Sequence, residues 1–406
     1  MALIKVQKQL SLRKEPYHMT GWVLMKAIRR LLLLSMTIIM LTGCWNRIEI
    51  NDVGIITAIG LDLLKGDRIL LSLQVAVPSK LGPTGASGGG SNGKGTFVIS
   101  DTGSTVSEAY RNIQVKMSRR IFFSQSRVLL IGSELAKKGV YHIIDFHTRY
   151  QEPRINSFIM FTKGKAFNII KSTPNFESVS SEETKELAKL GIGLKITVMD
   201  FYNMLLTDGL EPIAPKFSLE SRELKNKSKK IQAIKGAAVF KNDKLAGWMD
   251  EEEIRGVLWL RNEIQEGVIT IKIPEENGGG KVSLDIERTE AKIIPAHRKG
   301  EVIVTLIVNG EMTIIENYSK LNLTEQKVLE FLQKNIEKKI NERIRLSVDI
   351  AQKQYQSDIF GFGQEIYKKY PKEWNSHYKN KWEQEFPHLD VSINSHVSVR
   401  RIGLTK

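Results

Sequence analysis

Residues 302–355 read VIVTLIVNGEMTIIENYSKLNLTEQKVLEFLQKNIEKKINERIRLSVDIAQKQY. The opening stretch, Val302 to Glu316, reads as a long strand. From Leu323-Thr324-Glu325 to about Tyr355, Val328, Leu332, Ile336, Ile340, Ile344 and Val348 recur every fourth residue, which reads as a helix. At about 100° per residue such a stripe precesses by roughly 40° per step, as on a helix laid diagonally over a twisted sheet. The strands expected before it are Ile234–Phe240, Leu245–Trp248, Gly267–Ile273 and Val282–Ile294. Val391 to Val399 alternates strictly and forms a final strand. Together these predict an α+β domain, a largely antiparallel sheet packed on one long helix. Between helix and final strand lie Asp358-Ile359-Phe360-Gly361-Phe362-Gly363, then Trp374 and Trp382, eight residues apart and so two turns apart on one helix face. Most of these aromatics read as core.

Upstream, residues 218–230 (SLESRELKNKSKK) have the composition of a linker or exposed turn. This places the main boundary between an N-terminal α/β region, 44–220, and the C-terminal domain, 225–406. Residues 55–61 and 68–77 read as strands of a hairpin turning at Lys65-Gly66-Asp67 and stopped by Pro78. The glycine-rich stretch 81–95 is expected to be a flexible loop. Within it Gly88 and Gly93-Lys94 nearly spell a phosphate-binding loop, but Gly95 replaces the hydroxyl residue and a strand-like TFVI follows where a helix is required. Helices expected over 102–117 and 140–150 alternate with strands over 127–132 and 155–161, the pattern of a covered sheet. The polar stretch Thr173 to Thr184 marks an internal boundary, giving the region two subdomains. The fold class is therefore mixed α/β overall, α+β in its C-terminal half.

The first 43 residues stand apart. Met25 to Arg30 is basic, Leu31 to Leu41 is uncharged, and Leu41-Thr42-Gly43-Cys44 closes the run, the layout of a secretory signal. An eleven-residue run falls short of the about 20 apolar residues that span a bilayer. Cys44 is the only cysteine among 406 residues, so neither a disulfide within the chain nor a Cys-based zinc site can form. A lone cysteine after a small residue and glycine looks like a bacterial lipobox. Diacylglyceryl transfer to Cys44 would bury two acyl chains, enough for stable anchoring. The alternative is an uncleaved membrane helix with an incidental cysteine. Residues 1–24, ahead of Met25, are expected to be a mis-assigned start.

Charge follows from this division. The chain has 60 basic and 45 acidic residues, net +15; setting aside residues 1–43, with seven bases and one acid, leaves +9. Spread over so much surface, that balance suits anionic lipid or an acidic partner better than nucleic acid.

No reaction chemistry is apparent. His142 and His147 are five apart, off the i, i+4 spacing of a zinc helix, and the H-E-x-x-H glutamate is missing. His377, His388 and His396 lie in a polar segment without clustered carboxylates. No G-x-S-x-G elbow occurs. The acidic run Asp250 to Glu253 suits a helix N-terminus, where the dipole favours negative charge. No catalytic residue, metal site or cofactor is expected.

Six blocks carry a family resemblance: LTGCWNRIEIND with VGIITAIGLD (41–62), SRRIFFSQSRVLLIGSELAKKG (118–139), IIDFHTRYQEPRINSFIMFTKGKA (143–166), KGAAVFKNDKLAGWMDEEEIRGVLWL (235–260) and DIFGFGQEIYKKYPKEWN (358–375). In this order they resemble the Ger(x)C family, the C subunit of spore germinant receptors. The resemblance implies a lipoprotein of the outer leaflet of the spore inner membrane with a three-domain mixed α/β fold. It further implies action in nutrient sensing beside integral membrane subunits of A and B type, with no enzyme activity. The lipidated residue carries over to Cys44. Trp45 follows it as in the family, but Asn46 stands where the family usually has Asp. Partner contact is expected at the Trp45 to Asp52 segment and at Phe360 and Phe362, provided these rings are exposed. The competing expectation is a lipoprotein that itself captures a small nutrient, a class that favours two matched lobes, whereas this chain has unlike halves.

Overall fold

The computed structural model describes residues 17–41, 49, 52–77, 95–150, 152–175, 177, 179–224, 227–264, 266–298 and 301–401. The chain divides into two compact units, Met1–Asp52 and Val53–Lys406. In the first, a helix spans Tyr17–Leu41, so helical structure begins ahead of Met25 and runs through the apolar stretch. Its side chains from Leu31 to Leu34 are exposed. No described helix is long and apolar enough to cross a membrane. Cys44, Trp45 and the glycine-rich loop up to Lys94 lie outside the described residues.

Among its described residues the second unit holds thirteen strands: β1 (Val53–Leu63), β2 (Ile69–Ala76), β3 (Thr96–Gly103), β4 (Arg120–Phe122), β5 (Val128–Gly132), β6 (Phe158–Thr162), β7 (Ile213–Leu224), β8 (Lys227–Lys241), β9 (Lys244–Met249), β10 (Val268–Lys272), β11 (Lys281–Arg298), β12 (Glu301–Asn317) and β13 (Asp390–Arg401). The larger sheet runs β3-β2-β1-β5-β6-β7-β8-β9, with β4 beside β1. Its centre, β1-β5-β6-β7, is parallel, and antiparallel strands flank it on both sides. The first hairpin turns at Lys65–Asp67, where Gly66 takes φ 71° at no steric cost. Both faces of the parallel centre are covered. Leu129, Ile131, Ile159 and Phe161 point into the main core, while Val128, Leu130 and Met160 pack on Ala166, Ile169 and Ile170 in a second one. That two-sided burial is why β5 and β6 read as continuous apolar runs.

The expected linker at 218–230 is instead the end of a long antiparallel hairpin, with Ser218 paired to Ala233 and Ser221 to Lys230. The composition misled because a hairpin built of polar residues has the composition of a linker. β8 and β9, expected in the C-terminal domain, complete the first sheet. The polar stretch 173–184 likewise enters packing, since Ser180, Ser181 and Thr184 are buried at the start of the helix Ser180–Lys189.

The second sheet, β10-β11-β12-β13, is antiparallel except that β13 lies parallel to β12. The long helix spans Gln326–Asp349, followed by a π-type turn, Ile350–Tyr355. Leu332, Ile336, Ile340, Ile344 and Val348 are fully buried, each contributing about 1.5–3 kcal/mol. Polar side chains of the same helix hold β13: Gln333 Nε2 donates to Val397 O at 2.8 Å, Arg345 to Val391 O at 2.7 Å, and Glu337 Oε1 accepts from Val397 N–H at 3.0 Å. The acidic run sits at the helix Glu253–Leu260 as expected. Asp250 Oδ1 accepts from the N–H groups of Glu252 and Glu253, and Glu253 accepts from Asp250 N–H in return. Gly256 is required there, because a Cβ would stand 2.6 Å from Arg343 O on the long helix.

Candidate functional site

The 358–363 turn follows the long helix and its π-turn directly. Gln356 closes that turn in the left-handed region, and Ser357 Oγ donates to Phe240 O of β8 at 2.5 Å. Asp358, 2% exposed, then turns its carboxylate back on its own loop. The N–H groups of Phe360, Gly361 and Phe362 donate to Oδ1 at 3.3, 2.9 and 3.1 Å. Gly363 N–H and the Trp382 indole donate to Oδ2 at 2.8 and 3.1 Å. Burial pushes this carboxyl up to about 6, against the pull of the donors around it.

The glycines of the turn have separate reasons. Gly361 takes φ 79°, in the left-handed region. Gly363 meets Gly209 on another segment so closely that a Cβ would lie 2.7 Å from Gly209 Cα and from the rings of Trp374 and Trp382. Gln364 N–H donates to Gly209 O, and Glu211 N–H to Asp358 O at 2.8 Å. The turn thus ties the C-terminal segment to the chain entering β7.

Phe360 is 6% exposed and Phe362 not at all, their rings stacked 5.0 Å apart. The expectation that these two rings meet a partner is corrected: they are spent on the core. Trp374 and Trp382 do approach, at 5.4 Å, but not from one helix face. Short segments Pro371–Glu373, Trp374–Tyr378 and Trp382–Glu385 break the helix, and tertiary packing brings the rings together.

Beside this knot is a cavity of about 370 Å³ lined by Gly209, Glu211, Trp382 and Glu383. Glu211 accepts from Asn242 N–H at 2.6 Å. Burial, reinforced by Glu383 and Asp358, pushes it up to about 7. A larger groove, about 860 Å³, has Leu63, Ile69, Val106, Ile143 and Phe146 along it. Four of the charges at this groove are paired, Lys138 with Asp67 at 2.9 Å and Arg149 with Asp145 at 2.7 Å, while Asp243 accepts from Tyr141 N–H at 3.2 Å.

The histidines are dispersed. His142 is exposed and His147 buried on one helix, Tyr141–Arg149. His297 pairs with Glu373 at 3.0 Å and packs on Tyr370. Among the described residues no group of three or more His, Cys, Asp or Glu side chains is placed to hold a metal ion.

Known proteins align with most of this chain. A family model described as "Spore germination protein N-terminal domain" matches residues 46–219, and one described as "Spore germination B3/ GerAC like, C-terminal" matches 235–403. "Spore germination protein KC" of Bacillus subtilis (strain 168) is 29% identical over 390 residues, covering 92% of this chain and 95% of the relative. "Spore germination protein B3" of the same organism is 23% identical over 394 residues, covering 93% and 99%. The crystal structure of the GerBC protein superposes with a TM-score of 0.55 at 18% identity, covering 84% of this chain and 97% of that one. At that identity the superposition speaks for the fold.

Proposed function

This chain belongs to the Ger(x)C family of spore germination proteins, and on that premise we propose that it is the lipid-anchored C subunit of a nutrient germinant receptor. Cys44 carries the anchor, a palmitate-type acyl group among its lipids. The protein is held on the outer leaflet of the spore inner membrane beside integral membrane subunits of A and B type. Its part is to couple nutrient recognition in that assembly to the start of germination, without a reaction or cofactor of its own.

One observation carries the reading: the two matched segments together span residues 46–403, and Leu41-Thr42-Gly43-Cys44 ends just before the first begins. A folded unit joined within a few residues to an acylated cysteine is held close to the membrane surface. The knot around Asp358 supports the non-catalytic part. Five donors occupy that carboxylate, leaving it no free geometry for proton transfer. With Phe360 and Phe362 buried, the remaining candidate for partner contact is the stretch from Trp45 to Asp52.

The test compares spores carrying the wild-type chain, Cys44→Ala, or no chain. Wild type incorporates labelled palmitate and Cys44→Ala does not. Deletion removes calcium release in response to at least one nutrient, and Cys44→Ala weakens it. Unchanged responses to every nutrient after deletion of this chain and its sister receptors would reject the proposal.

A further inference from the structure

At the carboxyl end of β6 the chain turns through Lys163-Gly164-Lys165 into the short helix Ala166–Ile170. β7 lies parallel beside β6, with Lys216 paired to Phe161, and runs on past its end in the hairpin with β8. Between the turn and that hairpin lies a cleft of about 440 Å³. The carboxyl ends of parallel strands are where open α/β sheets place their ligands. Gly164 keeps the cleft accessible, since nothing lies within 4 Å of where a Cβ would stand.

The lining is one-sided in charge. Lys163, Lys165, Lys216, Lys230 and Lys235 face a single acid, Glu220, and Glu220 is already held by Lys235 at 3.0 Å. Among the described residues Lys163, Lys165 and Lys216 have no carboxylate within 4.0 Å, whereas Lys116, Lys138 and Lys379 each find one. Neighbouring acids are committed elsewhere. Asp62 accepts from Ala166 and Phe167 N–H at 2.8 and 3.0 Å, which closes that helix start to any other anion. Asp250 and Glu253 are bonded to each other's backbone N–H groups. Burial, reinforced by Lys163, holds the half-buried Lys216 ammonium below its ordinary range, against the weaker pull of Asp250, Glu220 and Glu253. The fold thus gathers ammonium groups at one strand end and supplies no counter-charge for them.

We infer that this cleft binds a phosphate-bearing anion of two or more charges, its oxygens meeting Lys163, Lys165 and Lys216. An ammonium is a compact point charge that suits a phosphate oxygen, and no arginine, whose planar fork matches a carboxylate, lines the cleft. Asn168 and Ser218 add neutral donors at the same place. A monovalent ion would answer one ammonium and leave the others bare. The space greatly exceeds a water's share of about 30 Å³, so it admits a diphosphate or a headgroup with part of its organic body. The same phosphate chemistry comes from a soluble polyphosphate or from the headgroup of an anionic phospholipid. Anchoring at Cys44 and anion capture at this cleft are independent, and either can fail alone.

The test uses the full chain in nonionic detergent micelles, titrated calorimetrically with pyrophosphate and tripolyphosphate. A second arm adds phosphatidylglycerol to the micelles, with phosphatidylcholine as the neutral reference. Lys163→Gln combined with Lys165→Gln removes two exposed charges from the cleft. Lys338→Gln combined with Lys339→Gln removes the same charge from exposed positions on the long helix. At least one of the three anions is expected to bind saturably, about tenfold more weakly to the cleft variant and within about twofold of wild type to the helix variant. Both variants should melt near wild type, since surface substitutions of this kind change stability little. Binding of a polyphosphate marks a soluble ligand, and binding of phosphatidylglycerol alone marks a headgroup. The site is refuted if no phosphate anion binds the folded chain at millimolar concentration, or if both variants lose affinity equally, which is diffuse charge. It is refuted too if polyglutamate binds as tightly as the best phosphate, since the occupant is then an acidic protein segment.

Discussion

Two of the sequence blocks that mark the family handle buried polar atoms in opposite ways. In the 358–363 turn one carboxylate is saturated by five donors. Beside a cleft bordered by the 147–157 segment, His147 Nε2 and Glu152 Oε2 have none. Both blocks are rich in charge, aromatics and small residues, so composition does not separate them. Satisfaction does: the polar network of the turn is closed, whereas two buried acceptors on residues beside the cleft have no donor. The turn that looked like a contact surface is structural, and the helix that looked like a failed zinc motif borders the open cleft.

The contrast can be broken most sharply at Asp358. Replacing it by Ala strands five donors in the core, and the loss of stability should be about 3–5 kcal/mol by chemical denaturation. A loss below about 1 kcal/mol would mean that the turn is not the lock described. Gly363→Ala forces a methyl group against Gly209 and both indoles, and should cost about 1–3 kcal/mol.

Acidity offers a third probe. Asp358 and Glu211 have folded-state pKa values of about 6 and about 7, above their values in an unfolded chain. A raised carboxyl contributes stability that is fully present below its unfolded value and is lost as pH rises through its folded value. The melting temperature should therefore fall between about pH 4 and pH 8. Glu211→Gln should flatten the upper part of that fall, and a profile equally steep in the variant would separate Glu211 from it.

The smallest effect belongs to the cleft. His147→Leu removes an orphaned nitrogen along with one hydrogen bond, so stability should change by less than about 1 kcal/mol in either direction. A loss as large as that of Asp358→Ala would erase the distinction between the two regions.

Much of the architecture was legible in the chain. The stripe from Leu332 to Val348 marks a helix because one face must be buried at a spacing set by helical geometry. β5 and β6 were legible because strands covered on both faces are apolar throughout. The hairpin at 213–241 was not, since its stretch rich in Lys, Glu and Ser has the composition of a linker. The parallel placement of β13 was hidden as well, because alternation reports which face is buried and says nothing of direction. For the site, the glycines of the 358–363 turn were visible, but which side of the surface its rings lie on was not.

By itself the sequence determined what depends on local order: element types and periods, and the six ordered blocks that identify the family. Tertiary structure decided what depends on atoms distant in sequence. It closed Gly363 on Gly209 and Trp382 on Asp358, joined β8 and β9 to the first sheet, and left His147 Nε2 and Glu152 Oε2 without donors. The reason is that a periodicity is a property of one segment, whereas burial and hydrogen-bond satisfaction are properties of whatever the fold brings beside it.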